Sequence, residues 1–223
     1  MNYVFQFNVV WEHLPELLDG ALRTIELSAS AMALGLCLGV LCALGQSIGP
    51  VAVRWMVAVY VELIRNTPFL IQIFIFYFSL PVVGVRLTAN TAALLALTIN
   101  LGAYASEIVR AGIDAIPRGQ VEAARALGLK NLQIFRLVIL FPALKTVYPA
   151  LASQFILLML SSSIVSTISA VELTSITSSL QSTTFRSFEF YFVATGLYLL
   201  MSLGFRAGLN TIYLVIFERR GTL

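Results

Sequence analysis

The chain holds 223 residues, of which 59% are apolar and only 11% charged, under half the charged fraction of about 25% in an ordinary soluble domain. Too little polar surface exists to cover a water-soluble globule, and disordered chains are poor in apolar residues, so the bilayer is the solvent that fits. The net charge of +3 is spread between apolar runs rather than gathered on one solvated face, which argues against a nucleic-acid partner. At about 20 residues per spanning helix, the length allows about five spans. The expected architecture is an all-α membrane protein with one transmembrane domain over residues 1–223.

Residues 2–19 contain no basic stretch leading into an apolar core, so no cleavable signal is expected and the mature chain is read as starting at Met1. Residues 11–21 mix polar and apolar side chains and suit an interfacial helix. The first span is placed at 24–46. It carries Gly35-xxx-Gly39 and Gly45-xxx-Gly49, spacings that let helix backbones approach and are expected to serve packing within the chain. Cys37 and Cys42 lie in the same run and read as packing or lipid-facing thiols rather than a disulfide.

The second span, 52–80, is interrupted by Arg65-Asn66-Thr67-Pro68. Proline lacks a backbone donor and disfavours helix at the residue before it, so an amphipathic lead-in, a break at 66–68 and an apolar second half are expected. Pro81 and Gly84 turn the chain around Arg86 into a third span at 87–112. Residues 114–140 form the one long polar loop, in which Val121, Ala124, Leu127 and Leu132 share a helical face broken by Gly128. A fourth span is placed at 144–168. The Ser- and Thr-rich stretch 174–187 reads as an exposed loop and a surface for a soluble binding protein. The fifth span, 189–215, contains Arg206, and the chain ends Glu218-Arg219-Arg220 before its last residues.

Basic residues set the orientation. Arg54, Arg110, Arg118, Arg125, Lys130, Arg136, Lys145, Arg219 and Arg220 fall on one side of the spans, and Arg23, Arg86 and Arg186 on the other. The N-terminus is therefore expected outside, with the 114–140 loop and the C-terminus in the cytoplasm.

The only histidine is His13, in the N-terminal segment, so no span supplies a nucleophile–histidine pair or a metal-ligand set. Neither Lys130 nor Lys145 follows the glycine spacing of a phosphate-binding loop. No metal, cofactor or ATPase site is expected in this chain. Polar groups inside the spans are more informative, because ionisable groups at membrane depth usually face a cavity or the bundle interior. Asn100, Tyr104 and Glu107 stand at i, i+4 and i+7 and line one helix face. A carboxylate and an amide there suit an ammonium group. The break at Asn66 and Thr67, with Gln72 beyond it, frees backbone N–H groups suited to a carboxylate, for which Arg65 is another partner. A second reading stands beside this one: Glu107 pairs with Arg110 one turn on. Ser161, Ser162, Ser163, Ser166 and Thr167 either line a polar pathway or bond their own helix carbonyls.

The segment from Ile116 to Leu129 is alanine-rich, stopped by Gly128 and flanked by charge. Such a helix presents a compact knob whose alanine face admits another protein closely, with Glu122 and Arg125 placed for rim ion pairs; a mere connector between spans fits the same pattern.

Glu122-Ala123-Ala124-xxx-Gly128 followed by Val138-Ile139-Leu140-Phe141-Pro142 resembles the EAA loop of ABC-importer permeases. More narrowly, the chain resembles the histidine/glutamine/glutamate-type permeases of the polar amino acid uptake group. The supporting strings are Glu62-Leu63-Ile64-Arg65-Asn66-Thr67-Pro68-Phe69-Leu70-Ile71-Gln72 and Tyr104-Ala105-Ser106-Glu107-Ile108-Val109-Arg110-Ala111-Gly112-Ile113. The match runs in order over nearly the whole chain. The resemblance implies a type I importer permease in the prokaryotic inner membrane, working by alternating access. The implied partners are a second permease subunit, two ATP-binding subunits that hold ATP and Mg, a soluble binding protein and a polar amino acid or relative such as an opine. It gives Glu122, Ala123, Ala124, Arg125 and Gly128 the coupling role. It departs from the family in two places. The usual I-L-P-Q-A-L is replaced by Phe141-Pro142-Ala143-Leu144, and the usual Lys-Asp-Thr-Ser by Leu160-Ser161-Ser162-Ser163, leaving only Ser162 and Ser163 to carry over. The alternative is an ATP-independent secondary transporter or channel, for which internal repeats are expected and the alanine-rich loop is not.

Overall fold

The computed structural model describes residues 3–218, and among these every regular element is helical. The start at Met1, the side chain of Leu132 and the pair Arg219–Arg220 lie outside the described residues. A short α1 (Phe7–Glu12) leads into α2 (Leu14–Ile48), a single helix of 35 residues. The separate interfacial helix expected at 11–21 is therefore absent. Pro15 sits in the first turn of α2, where its missing N–H costs nothing. From there Leu17, Ala21, Thr24, Ser28, Ala31 and Gly35 continue one buried stripe without interruption. At 1.5 Å per residue α2 is about 52 Å long, well beyond a hydrocarbon core of about 30 Å.

The second span is two arms, α3 (Val51–Arg65) and α4 (Phe69–Phe74), the latter continued by a π-turn at Ile75–Ser79 and a 3-10 turn at Leu80–Val83. The arms bend by 110° at the Asn66-Thr67-Pro68 break. Beyond it α5 (Ala89–Asp114) is started by Thr88, whose hydroxyl accepts from the Thr91 N–H at 3.2 Å. α5 runs parallel to α2 and packs directly on it. A Cβ at Gly35 would overlap Leu101 and one at Gly39 would overlap Ala105, so the first small-residue pair serves contact within the chain.

The polar loop holds α6 (Arg118–Ala126) and the single turn α7 (Asn131–Ile134). It ends earlier than 140. The next crossing begins as a π-helix at Phe135–Leu140 and continues through α8 (Phe141–Ser161) into a 3-10 segment at Ser162–Ile168. Phe135, Leu137, Val138, Ile139 and Leu140 are apolar enough to enter the span, and Arg136 among them is exposed, free to extend its head to the interface.

Residues 174–187 are not the expected loop: α9 (Leu173–Thr184) occupies them. Leu173, Thr177 and Leu180 recur at i, i+4 and i+7 and are buried, with Leu173 against Gly20 of α2. The hydroxyls that suggested a loop bond backward instead, Thr177 to the Leu173 carbonyl at 2.7 Å and Thr184 to that of Leu180 at 2.7 Å. The final crossing is α10 (Ser187–Tyr213), extended by a π-turn at Leu214–Glu218. The N-terminal residues lie across its start: the Tyr3 hydroxyl and the Gln6 N–H both donate to the buried Glu189 carboxylate.

Glu172, fully buried, caps α9 by accepting from the N–H groups of Thr174 at 2.9 Å and Ser175 at 2.6 Å, and also from the Tyr198 hydroxyl at 2.7 Å. Burial pushes its carboxyl above the ordinary glutamate value despite these donors. A raised acid binds a proton in the folded state where the unfolded chain has lost it. Stability from this group is therefore full below the ordinary value of 4.5 and declines as pH rises through the folded value. Glu172→Gln is expected to flatten the fall of Tm with rising pH in the detergent-solubilised full chain; an unchanged slope would sink the assignment.

Candidate functional site

The polar groups inside the membrane converge where α3, the bend and α5 meet. Gln72, buried on the first turn of α4, folds back over the break. Its Nε2 donates to the Ile64 carbonyl at 2.8 Å, the Thr67 carbonyl at 3.0 Å and the Thr67 hydroxyl at 3.0 Å. Its Oε1 accepts from Asn100 Nδ2 of α5 at 3.0 Å. Leaving such buried groups unmatched costs about 1–3 kcal/mol each, so this one amide fixes the bend and ties it to α5. Two carbonyls just before the break take side-chain donors as well, Glu62 from Asn66 Nδ2, beside the Asn66 N–H, and Leu63 from the Thr67 hydroxyl, each at 2.8 Å. The break thus gathers carbonyls that side chains satisfy, while α4 starts with no side-chain cap and the N–H groups of Phe69 and Leu70 meet no acceptor among the described residues.

One face of α5 does present Asn100, Tyr104 and Glu107 to the second span. Arg65 lies 5.7 Å from the Tyr104 ring centroid and its guanidinium is 3.3 Å from Glu107 Oε2. Arg110 donates to Glu107 Oε1 at 3.2 Å and Oε2 at 3.1 Å, and to Asp114 at 3.3 Å. Glu107 therefore stands between two guanidiniums, one from each helix. Both line a cavity of about 570 Å3 together with Gln46, Arg54 and Glu62. Three arginines against two glutamates leave that cavity one positive charge in excess. Sequence reasoning missed Gln46, Arg54 and Glu62. The spacing of Arg54, Glu62 and Arg65 along one face of α3 was the available signal.

The hydroxyls of the Ser and Thr run bond their own helix. Ser162 is buried and donates to the Met159 carbonyl at 2.6 Å; Ser163, Ser166 and Thr167 likewise donate three residues back, at 2.7–2.8 Å. The 3-10 winding of Ser162–Ile168 brings each hydroxyl over that carbonyl.

At the far end, α6 projects with Glu122, Ala123 and Arg125 exposed and only Ala124 buried. Gly128 closes it at φ +77°. The Gly128 N–H donates to the Arg125 carbonyl at 2.9 Å and the Leu129 N–H to that of Ala124 at 3.2 Å, the paired bonds of a Schellman cap. Leu127 does not join the face of Val121 and Ala124; the cap turns it out, 81% exposed, at the tip of the knob.

Residues 35–212 match the family described as binding-protein-dependent transport system inner membrane component. The chain belongs to that family. The permease is 34% identical over 203 residues, 91% of this chain and 94% of the relative, to the "Probable glutamine ABC transporter permease protein GlnM" of Bacillus subtilis (strain 168). It is 33% identical over 201 residues, 89% and 92% of the two chains, to the glutamine transport system permease protein GlnP of Escherichia coli (strain K12). A solved amino acid ABC transporter with histidines superposes with a TM-score of 0.88 at 36% identity, covering 98% of the permease and 100% of that chain. The permease is accordingly a multi-pass protein of the inner membrane, of the class that works with an ATPase and a substrate-binding protein rather than as a catalyst itself.

Proposed function

We propose that this permease is one of two membrane-spanning subunits, identical or homologous, of an importer that carries a polar amino acid or a relative such as an opine inward by alternating access. Two separate ATPase subunits hold ATP and Mg and dock on α6 through Glu122, Ala123, Ala124, Arg125 and Gly128. A loaded binding protein docks on the outer side, where α9 lies. The observation that carries the coupling reading is the projecting, Schellman-capped α6 with its small-residue face and outward Leu127. The resemblance to glutamine permeases supports a small zwitterionic substrate.

Substrate passes near the α3–α5 cavity. Glu107 faces the ammonium group; Arg65 and the excess positive charge face the carboxylate. Asn100 and Tyr104 flank them, Asn66, Thr67 and Gln72 shape the bend beside them, and Ser162 and Ser163 lie further along the route. Seven basic residues, Arg54, Arg110, Arg118, Arg125, Lys130, Arg136 and Lys145, lie toward the α6 end and three, Arg23, Arg86 and Arg186, toward the other, so α6 is cytoplasmic.

Reconstitution in proteoliposomes with the partner ATPase and binding protein tests the whole reading, with labelled glutamine as probe. Uptake is expected only with ATP inside the compartment that α6 faces. Uptake driven by an ion gradient without ATP overturns it in favour of a secondary transporter.

A further inference from the structure

One cation stands inside the final span away from the transport route. Arg206 lies four residues from the middle of the crossing Ser187–Phe217, about 6 Å along its axis, so its Cα falls within a hydrocarbon core of about 30 Å. A guanidinium at that depth is costly unless an anion or a polar cavity receives it. Among the described residues Arg206 has no ion-pair partner. The neighbouring crossing, Phe135–Ile168, contains no acidic residue. α10 itself holds only Glu189, near its opposite end and already bonded to Tyr3 and Gln6.

Arg206 instead lines a cavity of about 460 Å3 between α8 and α10, with Asn210 one turn on and Ser153 from α8. All three are exposed, so the space opens on the outside of the bundle. Among the described residues the Ser153 hydroxyl and the Asn210 amide have no hydrogen-bond partner, whereas Ser162, Ser163, Ser166 and Thr167 of the same crossing bond back to their own helix. Three side chains with free donors thus line one space that holds no carboxylate.

The place of this cavity in the bilayer identifies the anion. Tyr148 and Tyr213 also line it, with ring centroids 5.5 Å apart, and Phe217 follows at 5.2 Å from Tyr213. Rows of aromatic rings mark the membrane–water interface, here the one on the α6 side. Tyr213 is seven residues beyond Arg206, about 10 Å, a gap that an arginine extending its head toward the interface largely closes. Ile156 and Ala152 give the cavity apolar wall as well. Donors just inside an interface with apolar wall beside them fit a phospholipid, whose phosphate matches the fork of a guanidinium. A second copy of this chain fits less well. Its Glu107 and Asp114 are held by its own arginines, and its Glu62 lines the other cavity. We propose that the α8–α10 cavity is a phospholipid site of the α6-side leaflet, with Arg206, Asn210 and Ser153 donating to the phosphate. A lipid held there ties α8 to α10, the least enclosed of the long crossings.

Native mass spectrometry of the permease purified with its partner subunits tests this, with phosphatidylglycerol and an uncharged glucosyldiacylglycerol of the same acyl chains as probes. The wild type is expected to keep phosphatidylglycerol through delipidation and to shed the glycolipid. Arg206→Gln removes a charge from the core and so inserts at least as easily; it should lower the phosphatidylglycerol retained at least severalfold. Arg206→Lys should keep most of it, and Asn210→Leu should fall between. Equal retention of the two probes by the wild type overturns the proposal, as does unchanged retention in Arg206→Gln. Loss of permease pairing in Arg206→Gln assigns the cation to a subunit contact and overturns it too. So does a rise in the glutamine concentration that half-maximally stimulates ATP hydrolysis, which would put Arg206 on the transport route. Lipid retention is read without transport, so failure of the importer reading leaves this result standing.

Discussion

Gly128→Trp and Glu122→Arg are each expected to leave the chain inserted and assembled in the membrane while cutting ATP-driven uptake by about 5- to 150-fold, the span of a coupling free energy of about 1–3 kcal/mol. The reason lies in what these positions touch within the chain, which is almost nothing. A Cβ at Gly128 meets no atom within 4 Å, so the bulk of tryptophan collides only with a docked partner. The substitution also places an L-residue at φ +77°, which costs roughly 1–2 kcal/mol and loosens the Schellman cap that aims Leu127. Glu122 is exposed, so reversing its charge is felt outside the chain. Gly128→Ala keeps the strain without the bulk and should fall between. Uptake and binding-protein-stimulated ATP hydrolysis are measured side by side in proteoliposomes; wild-type uptake by both variants would sink the docking assignment.

Glu107→Gln is expected to raise, by about tenfold, the glutamine concentration that half-maximally stimulates ATP hydrolysis, a change of ~1.4 kcal/mol, with assembly unaffected. Its two partner arginines are each about 40% exposed to the cavity, so stranding them costs less than about 1 kcal/mol per pair and the fold survives. Arg110→Gln separates the two meanings of the cluster. If Glu107 only steadies the end of α5, both variants weaken assembly alike and neither moves the half-maximal concentration. If Glu107 meets the ammonium group, only its own variant moves it.

How far the sequence reached follows from where each structural cause resides. Pro68 breaks a helix by its own geometry and Gly128 stops one by its own freedom, so the bend of the second span and the end of α6 were both legible. The consequence of the break was not. Gln72 reads as one polar residue on an apolar helix, and only the return of α4 over residues 64–67 puts its amide on the Ile64 and Thr67 carbonyls. The α9 segment misled for a related reason. Serine and threonine favour turns when their hydroxyls compete for the backbone, yet here Leu173 and Leu180 had a neighbouring helix to pack against, and burial outweighed propensity. The start of the fourth crossing was set too late because Arg136 was read as a loop marker rather than a long side chain leaving an apolar helix.

The contact between α2 and α5 limits how this molecule can change shape. Backbone and side chain are so close at Gly35 and Gly39 that no methyl group fits between the helices. Sliding one along the other would drive Leu101 and Ala105 out of their seats into main chain. The two helices must therefore travel together as one slab, and the give must come from segments wound off the α-helical pitch. The π-turn at Ile75–Ser79 and the 3-10 stretch at Ser162–Ile168 are two such segments.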